Sequence, residues 1–337
     1  MRKVVKLADI AKEAGVSTAT VSKVVNGRSD VAKTTRDHIE KLLDSAGYKK
    51  SLTKTANSNS IEVILERIDT VWSLEILQGV SEMAQENDLS VTLTMAKTGD
   101  ESDNHSWVYG TLGRRPIGVI FVLLEGNKKE RRLLTSRNIP FVTVDARGEV
   151  AQDSITLRAD NWTGGLLGTR HLISLGHTRI GIITGPKDMT CSMARYDGYC
   201  SAMAKAGIPV DPALKRSGQF TESDGRAQAL SLLSMDNRPT AIFAGDDLQA
   251  MGIYEAARQL DISIPGDLSV VGFDNIRTSE YLGPALTTVE QPISEMARHA
   301  VKLILQMKDG QKVENENVFP TKLIVRNSTA PARENKG

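Results

Sequence analysis

Between residues 61 and 273, apolar runs of strand length alternate with segments of helix length, and no other feature narrows the fold as much. Strands are expected at Ile61–Leu65, Ser90–Met95, Ile117–Leu123 and Phe141–Asp145, with helices near 74–87, 102–112 and 128–137 between them. After Ile155–Leu157 the alternation resumes, with helices over 162–175, 190–206, 223–235 and 247–260 and strands at Arg179–Thr184, Ala241–Ala244 and Ser269–Phe273. This βαβ punctuation predicts parallel sheets covered by helices on both faces. Two such units in about 270 residues predict two similar lobes with a cleft between them. Ligands in open α/β sheets sit outside the carboxyl ends of the strands.

The amino-terminal segment follows a different period. Leu7, Ile10, Ala11 and Ala14 recur at the spacing of one buried helix stripe, and Gly15 stands where that helix must stop. Val16 supplies an apolar plug and Ser17 an N-cap for a second helix, whose inward stripe is Val21, Val24 and Val25. Thr18, Ala19, Ser22 and Lys23 fall on its opposite face. Two short helices joined by a glycine turn make a helix-turn-helix, which lays its second helix in the major groove of DNA. A third helix, capped by Thr34 or Thr35, carries Ile39, Leu42, Leu43 and Ala46 before Gly47, with Tyr48 folding back on the small core.

Charge is segregated accordingly. Residues 1–58 hold 12 Lys/Arg against 6 Asp/Glu, a net of +6, while the remainder is −5 and the whole chain only +1. The basic excess sits on the segment expected to meet phosphates. Residues 49–60 are small and polar, the composition of a linker, so the expected organisation is a DNA-binding domain over 1–48, a hinge over 49–60, a two-lobed domain over 61–330 and a tail over 331–337.

Several classes of function are disfavoured. The start has no apolar h-region and no apolar run approaches the ~18 residues of a membrane span, so a cytoplasmic, nucleoid-associated protein is expected. Cys191 and Cys200, nine apart, form neither a disulfide framework nor a metal motif. Dinucleotide, P-loop, metalloprotease and nucleophile-elbow motifs are missing. Histidines 38, 105, 171, 177 and 299 form no i, i+4 pair, and His171 and His177 are read as bracketing a helix end. No catalysis, cofactor or metal is expected.

At this point the residues resemble the LacI/GalR family of bacterial transcriptional regulators. The run from Leu7 to Gly27 (LADIAKEAGVSTATVSKVVNG) looks like the family's DNA-binding signature. Leu175 to Gly185 (LGHTRIGIITG), Ile264 to Asp274 (IPGDLSVVGFD) and Leu286 to Pro292 (LTTVEQP) are similar to later family landmarks. The resemblance implies a homodimer on a pseudo-palindromic operator, with a small effector, expected to be a sugar, in a cleft like that of a periplasmic sugar-binding protein.

Carried over position by position, Thr18, Ala19 and Lys23 match base-reading positions, and Ser17, Ser22 and Asn26 match phosphate-contacting ones. Lys23 can donate to guanine O6/N7, and Thr18 and Ala19 can offer methyls to thymine. Many relatives carry Arg at position 23; Lys lacks the bidentate fork. Arg195 and Asp274 match effector-binding positions, Asp246 stands where relatives often have Asn, and Phe220 matches a cleft aromatic. Asp69, Trp72 and Asp145 are expected to face the same cleft from the first lobe. Carboxylates and an arginine bracket sugar hydroxyls with charge-assisted hydrogen bonds, and aromatic faces stack on the ring.

Two departures stand out. Relatives fold a hinge segment on DNA and wedge a leucine into the minor groove, whereas this chain places Ser51, Lys54, Thr55 and Asn57 at those positions, with Leu52 as the one apolar substitute. The tail has no heptad repeat, so a dimer rather than a tetramer is expected. Competing readings are a solute receptor without a DNA role, a sugar-modifying enzyme, and a family member answering to a non-sugar ligand or acting with a corepressor.

Overall fold

The computed structural model describes residues 7–25, 31–45, 58–68, 70–96, 106–148, 151 and 154–333. The hinge positions Ser51, Leu52, Lys54, Thr55 and Asn57 lie outside the described residues, as do Asn26, Gly47, Tyr48 and Asp69.

Helices α1 (Leu7–Glu13), α2 (Thr18–Val25) and α3 (Lys33–Ser45) enclose a core of Ile10, Ala11, Val21, Val24, Val25 and Ile39, the stripes that the periodicity marks. Gly15 takes φ +66°, which lets Val16 N donate to Ala11 O at 3.0 Å and close α1. Ser17 then caps α2, its Oγ accepting from Thr20 N at 3.1 Å. The third helix corrects the sequence reading: it starts at Lys33, with Arg36 N donating to Ala32 O, so Thr34 and Thr35 lie inside the first turn instead of capping it.

The rest forms two lobes. In the first run β1 (Ser60–Leu65), α4 (Val71–Gln85), β2 (Ser90–Met95), α5 (Ser106–Arg114), β3 (Gly118–Val122), α6 (Lys128–Ser136), β4 (Phe141–Val144) and β5 (Thr156–Ala159). The second holds α7 (Asn161–Ser174), β6 (Ile180–Thr184), α8 (Thr190–Lys205), β7 (Lys215–Ser217), α9 (Glu222–Leu233), β8 (Ala241–Ala244), α10 (Asp247–Gln259), β9 (Ser269–Asp274) and β10 (Thr287–Glu290). Helix α4 starts earlier than its stripe suggests because Thr70 Oγ1 accepts from Ser73 N, a cap that adds the first turn.

Beyond residue 273 the sequence reading names no elements, and the chain there does not simply extend the second lobe. Helix α11 (Ile293–Lys308) returns to the first lobe, where Ile293, Met296, Ala297, Ala300, Val301 and Ile304 join the core of Ile61, Val63, Ile76 and Val142. Strand β11 (Glu316–Phe319) stays there beside β5, and β12 (Lys322–Ile324) crosses back to pair with β10. The sheets therefore run β11-β5-β4-β3-β1-β2, all parallel, and β12-β10-β9-β8-β6-β7, parallel except for β12.

The chain thus passes between lobes near Asp160, near Gln291-Pro292 and near Pro320-Thr321. Asp160 N donates to Phe319 O at 2.8 Å and Thr321 Oγ1 donates to Asp160 O at 3.2 Å, so two of these crossings are tied to each other. Such a multi-strand hinge permits rotation of one lobe against the other while restricting other motions.

Candidate functional site

The DNA-facing surface follows from α2. Its Val21, Val24 and Val25 are buried, which forces Ser17, Thr18 and Ala19 outward at the start of the helix, where all three are exposed. Ser22 and Lys23 are half-buried one turn on, each with partners of its own. The structure so brings five of the six candidates together, Ser17, Thr18 and Ala19 at the start of one helix and Ser22 and Lys23 in its second half. Ser17 uses its Oγ as the cap, accepting from Thr20 N.

The second site lies between the lobes, where strands end. Arg195 sits in the second turn of α8 and is buried. It is brought there by the approach of α8 to α7: a Cβ on Gly165 would lie 2.2 Å from the Arg195 carbonyl oxygen, so only glycine allows this spacing. The guanidinium lies 3.7 Å from the Phe273 ring centroid and 5.7 Å from that of Phe220, which itself rests on Gly185. Each face of its fork has a partner. Nε donates to Asn161 Oδ1 at 2.8 Å, Nη1 donates to Gly245 O, and Nη2 lies 3.4 Å from Asp274 Oδ1.

Asp274 ends β9 with φ +103°, Asp145 follows β4 with φ +47°, and Phe220 has φ +58°. Three of the candidate residues therefore occupy the left-handed region, where backbone strain is held by surrounding structure at functional sites. Asp274 Oδ1 also accepts from Gln291 Nε2, while Gln291 Oε1 is buried without a partner among the described residues. Asp246 caps α10, accepting from Gln249 N at 2.7 Å. Its neighbour Asp247 is held by Ile276 N, Ser279 Oγ and Thr288 Oγ1, an internal tie within the second lobe.

Electrostatics set this wall apart. Burial pushes Asp145 up to about 7 and Asp274 up to about 6, in both cases against the pull of Arg195. Burial and the charge of Asp274 raise Asp246 well above the usual carboxylate range and bring Asp247 to about 7. From the first lobe, Glu75 on α4 is raised by burial, with Asp274 adding repulsion and Arg277 opposing it. The Cys191 thiol is pushed up to about 12 by burial and stays protonated.

A cavity of about 460 Å³ opens at the Asp145 end, lined among others by Asp145, Arg158, Asn161, Thr190, Cys191 and Glu316. That volume falls in the range of small-molecule sites, about 300–1,000 Å³. A comparable cavity of about 480 Å³ lies at the opposite end of the second-lobe sheet, by Thr178, Arg179 and Leu214, and contains no candidate residue. The cleft is bridged at its mouth. Arg147 pairs with Met189 as an isolated antiparallel bridge, Gly148 N donates to Asp188 O at 3.2 Å, and Thr190 Oγ1 donates to Ala146 O at 3.2 Å. The Arg147 side chain reaches Asp188 of the second lobe at 3.3 Å and Glu66 of the first at 3.7 Å.

Of the seven cleft candidates, Arg195, Asp274 and Phe220 thus meet directly, and Asp145 and Asp246 join them electrostatically. Trp72 packs against the first-lobe core with 8% exposure. Asp69 lies outside the described residues. Sequence reasoning missed Asn161, Phe273, Gln291 and Glu75. Asn161 and Gln291 each follow a strand at its carboxyl end, a position that could have marked them; Phe273 and Glu75 read as ordinary strand and helix residues.

Comparison with known proteins bears on both sites. The profile described as "Bacterial regulatory proteins, lacI family" matches residues 6–51, and "Periplasmic binding protein-like domain" matches residues 169–329. The HTH-type transcriptional regulator DegA of Bacillus subtilis (strain 168) is 32% identical over 332 residues, covering 96% of this chain and 97% of its own. The chain belongs to the LacI family. This LacI-family chain has solved structural neighbours along nearly its full length. A transcriptional regulator CelR–cellobiose complex superposes with TM-score 0.73 at 28% identity, covering 96% of this chain and 99% of that one. The lac repressor dimer bound to operator and the anti-inducer ONPF gives 0.72 at 26%, covering 97% and 100%. The LacI-family protein is a DNA-binding transcriptional regulator with a helix-turn-helix and a two-lobed periplasmic-binding-protein-like domain. Its relatives are regulators, and no described helix is long and apolar enough to cross a membrane.

Proposed function

We propose that this regulator is a cytoplasmic, homodimeric repressor of sugar-utilisation genes, reading operator DNA through Thr18, Ala19 and Lys23 and answering to a small polyhydroxylated effector between its lobes. The working division is a reader over 1–48, a hinge over 49–60 and an effector domain over 61–330. The observation that carries the effector reading is Arg195 held against Asp274 and bonded to Asn161, with Asn161 and Asp145 both lining a cavity. An arginine and carboxylates at strand ends, with Phe220 and Phe273 beside them, are what a pyranose needs for its hydroxyls and its C–H face. The cellobiose complex of CelR and the operator complex of the lac repressor support the same division of labour.

Coupling follows from differential affinity. An effector that prefers one lobe arrangement tenfold shifts the balance by roughly 1.4 kcal/mol toward it. Fluorescence anisotropy on genomic promoter fragments in moderate salt, with and without a panel of mono- and disaccharides, tests the reading. It expects one set of duplexes bound selectively and a sugar that changes that affinity. Equal, weak binding to every duplex, unchanged by any sugar, overturns it.

A further inference from the structure

We infer that the effector of this cleft carries a protonated amine beside its hydroxyls, placed against Asp145. The inference rests on the reading of the cleft as an effector site. It starts from a mismatch between charges and partners. Asp145, Asp246 and Asp274 converge on the cleft, each less than a tenth exposed, and the one buried cation among them is Arg195.

That cation is already engaged. Its Nε, Nη1 and Nη2 face Asn161 Oδ1, Gly245 O and Asp274, all in the second lobe. Asp246 has the amide of Gln249 at the start of α10, and Asp274 has Gln291. Asp145, from the first lobe, is different. It is 6% exposed and lines the cavity, yet among the described residues no hydrogen bond or ion pair reaches its carboxylate. The other cation on the cavity wall, Arg158, is paired with Glu316 at 2.5 Å.

The Asp145 carboxyl opens onto the cavity, and a largely buried polar group of this kind takes its hydrogen-bond partners from what occupies that space. A neutral hydroxyl supplies one hydrogen bond to either form of the carboxyl, whereas an ammonium group supplies three donors and a charge that favours the ionised form. The chemical class is therefore an amino sugar or a comparable amine-bearing polyol, whose hydroxyls meet the Arg195–Asp274 wall while its ammonium meets Asp145.

Matched probes separate charge from shape. Titration calorimetry at pH 7 compares D-glucosamine with D-glucose, D-galactosamine with D-galactose, and the free-amine form of chitobiose with cellobiose, with N-acetylglucosamine as the neutral nitrogen-bearing control. At least one amine should bind tenfold or more tightly than its neutral partner and than the N-acetyl form. Asp145→Asn should bring the ratio of affinities within each matched amine–neutral pair to about one, whatever it does to the affinities themselves; asparagine tolerates the φ of +47° that position 145 requires. Neutral sugars binding as well as or better than their amines overturn the inference and leave the sugar-effector reading standing. No binding by any member of the panel overturns both. The wild-type comparison decides the matter even if the variant does not fold.

Discussion

Arg195 and Asp274 meet with Nη2 and Oδ1 3.4 Å apart, and both side chains are under a tenth exposed. Removing one partner of a buried pair leaves an uncompensated charge, which typically costs 3–5 kcal/mol. Arg195→Ala is therefore expected to lower unfolding stability by about 3 kcal/mol at pH 8. The loss should shrink at pH 5, where Asp274, already raised to about 6, takes up a proton. Urea denaturation at the two pH values measures this, and effector binding should be lost at both. Equal losses at pH 5 and 8 would show that the pair does not control the charge of Asp274.

Lys23 lies on the outer face of α2, away from the buried stripe of Val21, Val24 and Val25. Lys23→Ala should weaken operator binding by about 10- to 100-fold, the ~1–3 kcal/mol of a good base contact, and leave sugar binding untouched. Lys23→Arg should sharpen discrimination at the same base, because the planar fork can bond guanine at two points. Anisotropy titrations against single-base operator variants read both effects.

Asp145 gives the protein a signed pH dependence. Its folded carboxyl is raised to about 7 by burial, while in the unfolded chain it titrates near 3.8. Between those values the folded state holds a proton that the unfolded state has lost. The stabilisation is fully present below about pH 4 and disappears as pH rises through about 7. Asp145→Asn, which cannot ionise, should therefore gain stability relative to the wild type between pH 5 and pH 8, by about 1 kcal/mol or more. Chemical denaturation at both pH values checks the sign; a relative loss on going to pH 8 contradicts it.

The bridge at the cleft mouth joins segments that follow β4 and β6. Arg147 touches Asp188 across the lobes, but both side chains are substantially exposed, so the pair adds little to global stability. Arg147→Ala should leave the melting temperature within a degree or two. Because the contact spans the two lobes, its loss should weaken the arrangement that holds them together, and the effector off-rate should rise several-fold. Stopped-flow dissociation distinguishes this from a simple loss of contact with the ligand, which would also alter binding after the lobes are cross-linked.

Local pattern was enough for much of this architecture. The stripes Ile10-Ala11 and Val21-Val24-Val25 fix the three-helix reader, because a period of 3.6 with a glycine stop leaves few other ways to bury those side chains. The apolar runs that became β1, β3, β6 and β8 were legible for the same reason: a strand buried on both faces is apolar along its length.

What local pattern could not decide was where distant segments meet. Nothing periodic in Ile293–Lys308 says that the helix must leave the second lobe and complete the first. Nor does any motif assign Asn161 to Arg195 across 34 positions. Hydrophobic periodicity specifies which face of an element is buried, and it is silent about which partner buries it. The choice of partner, and with it the placing of Asp145 and the occupied fork of Arg195, is made only when non-local contacts close each lobe around its own sheet.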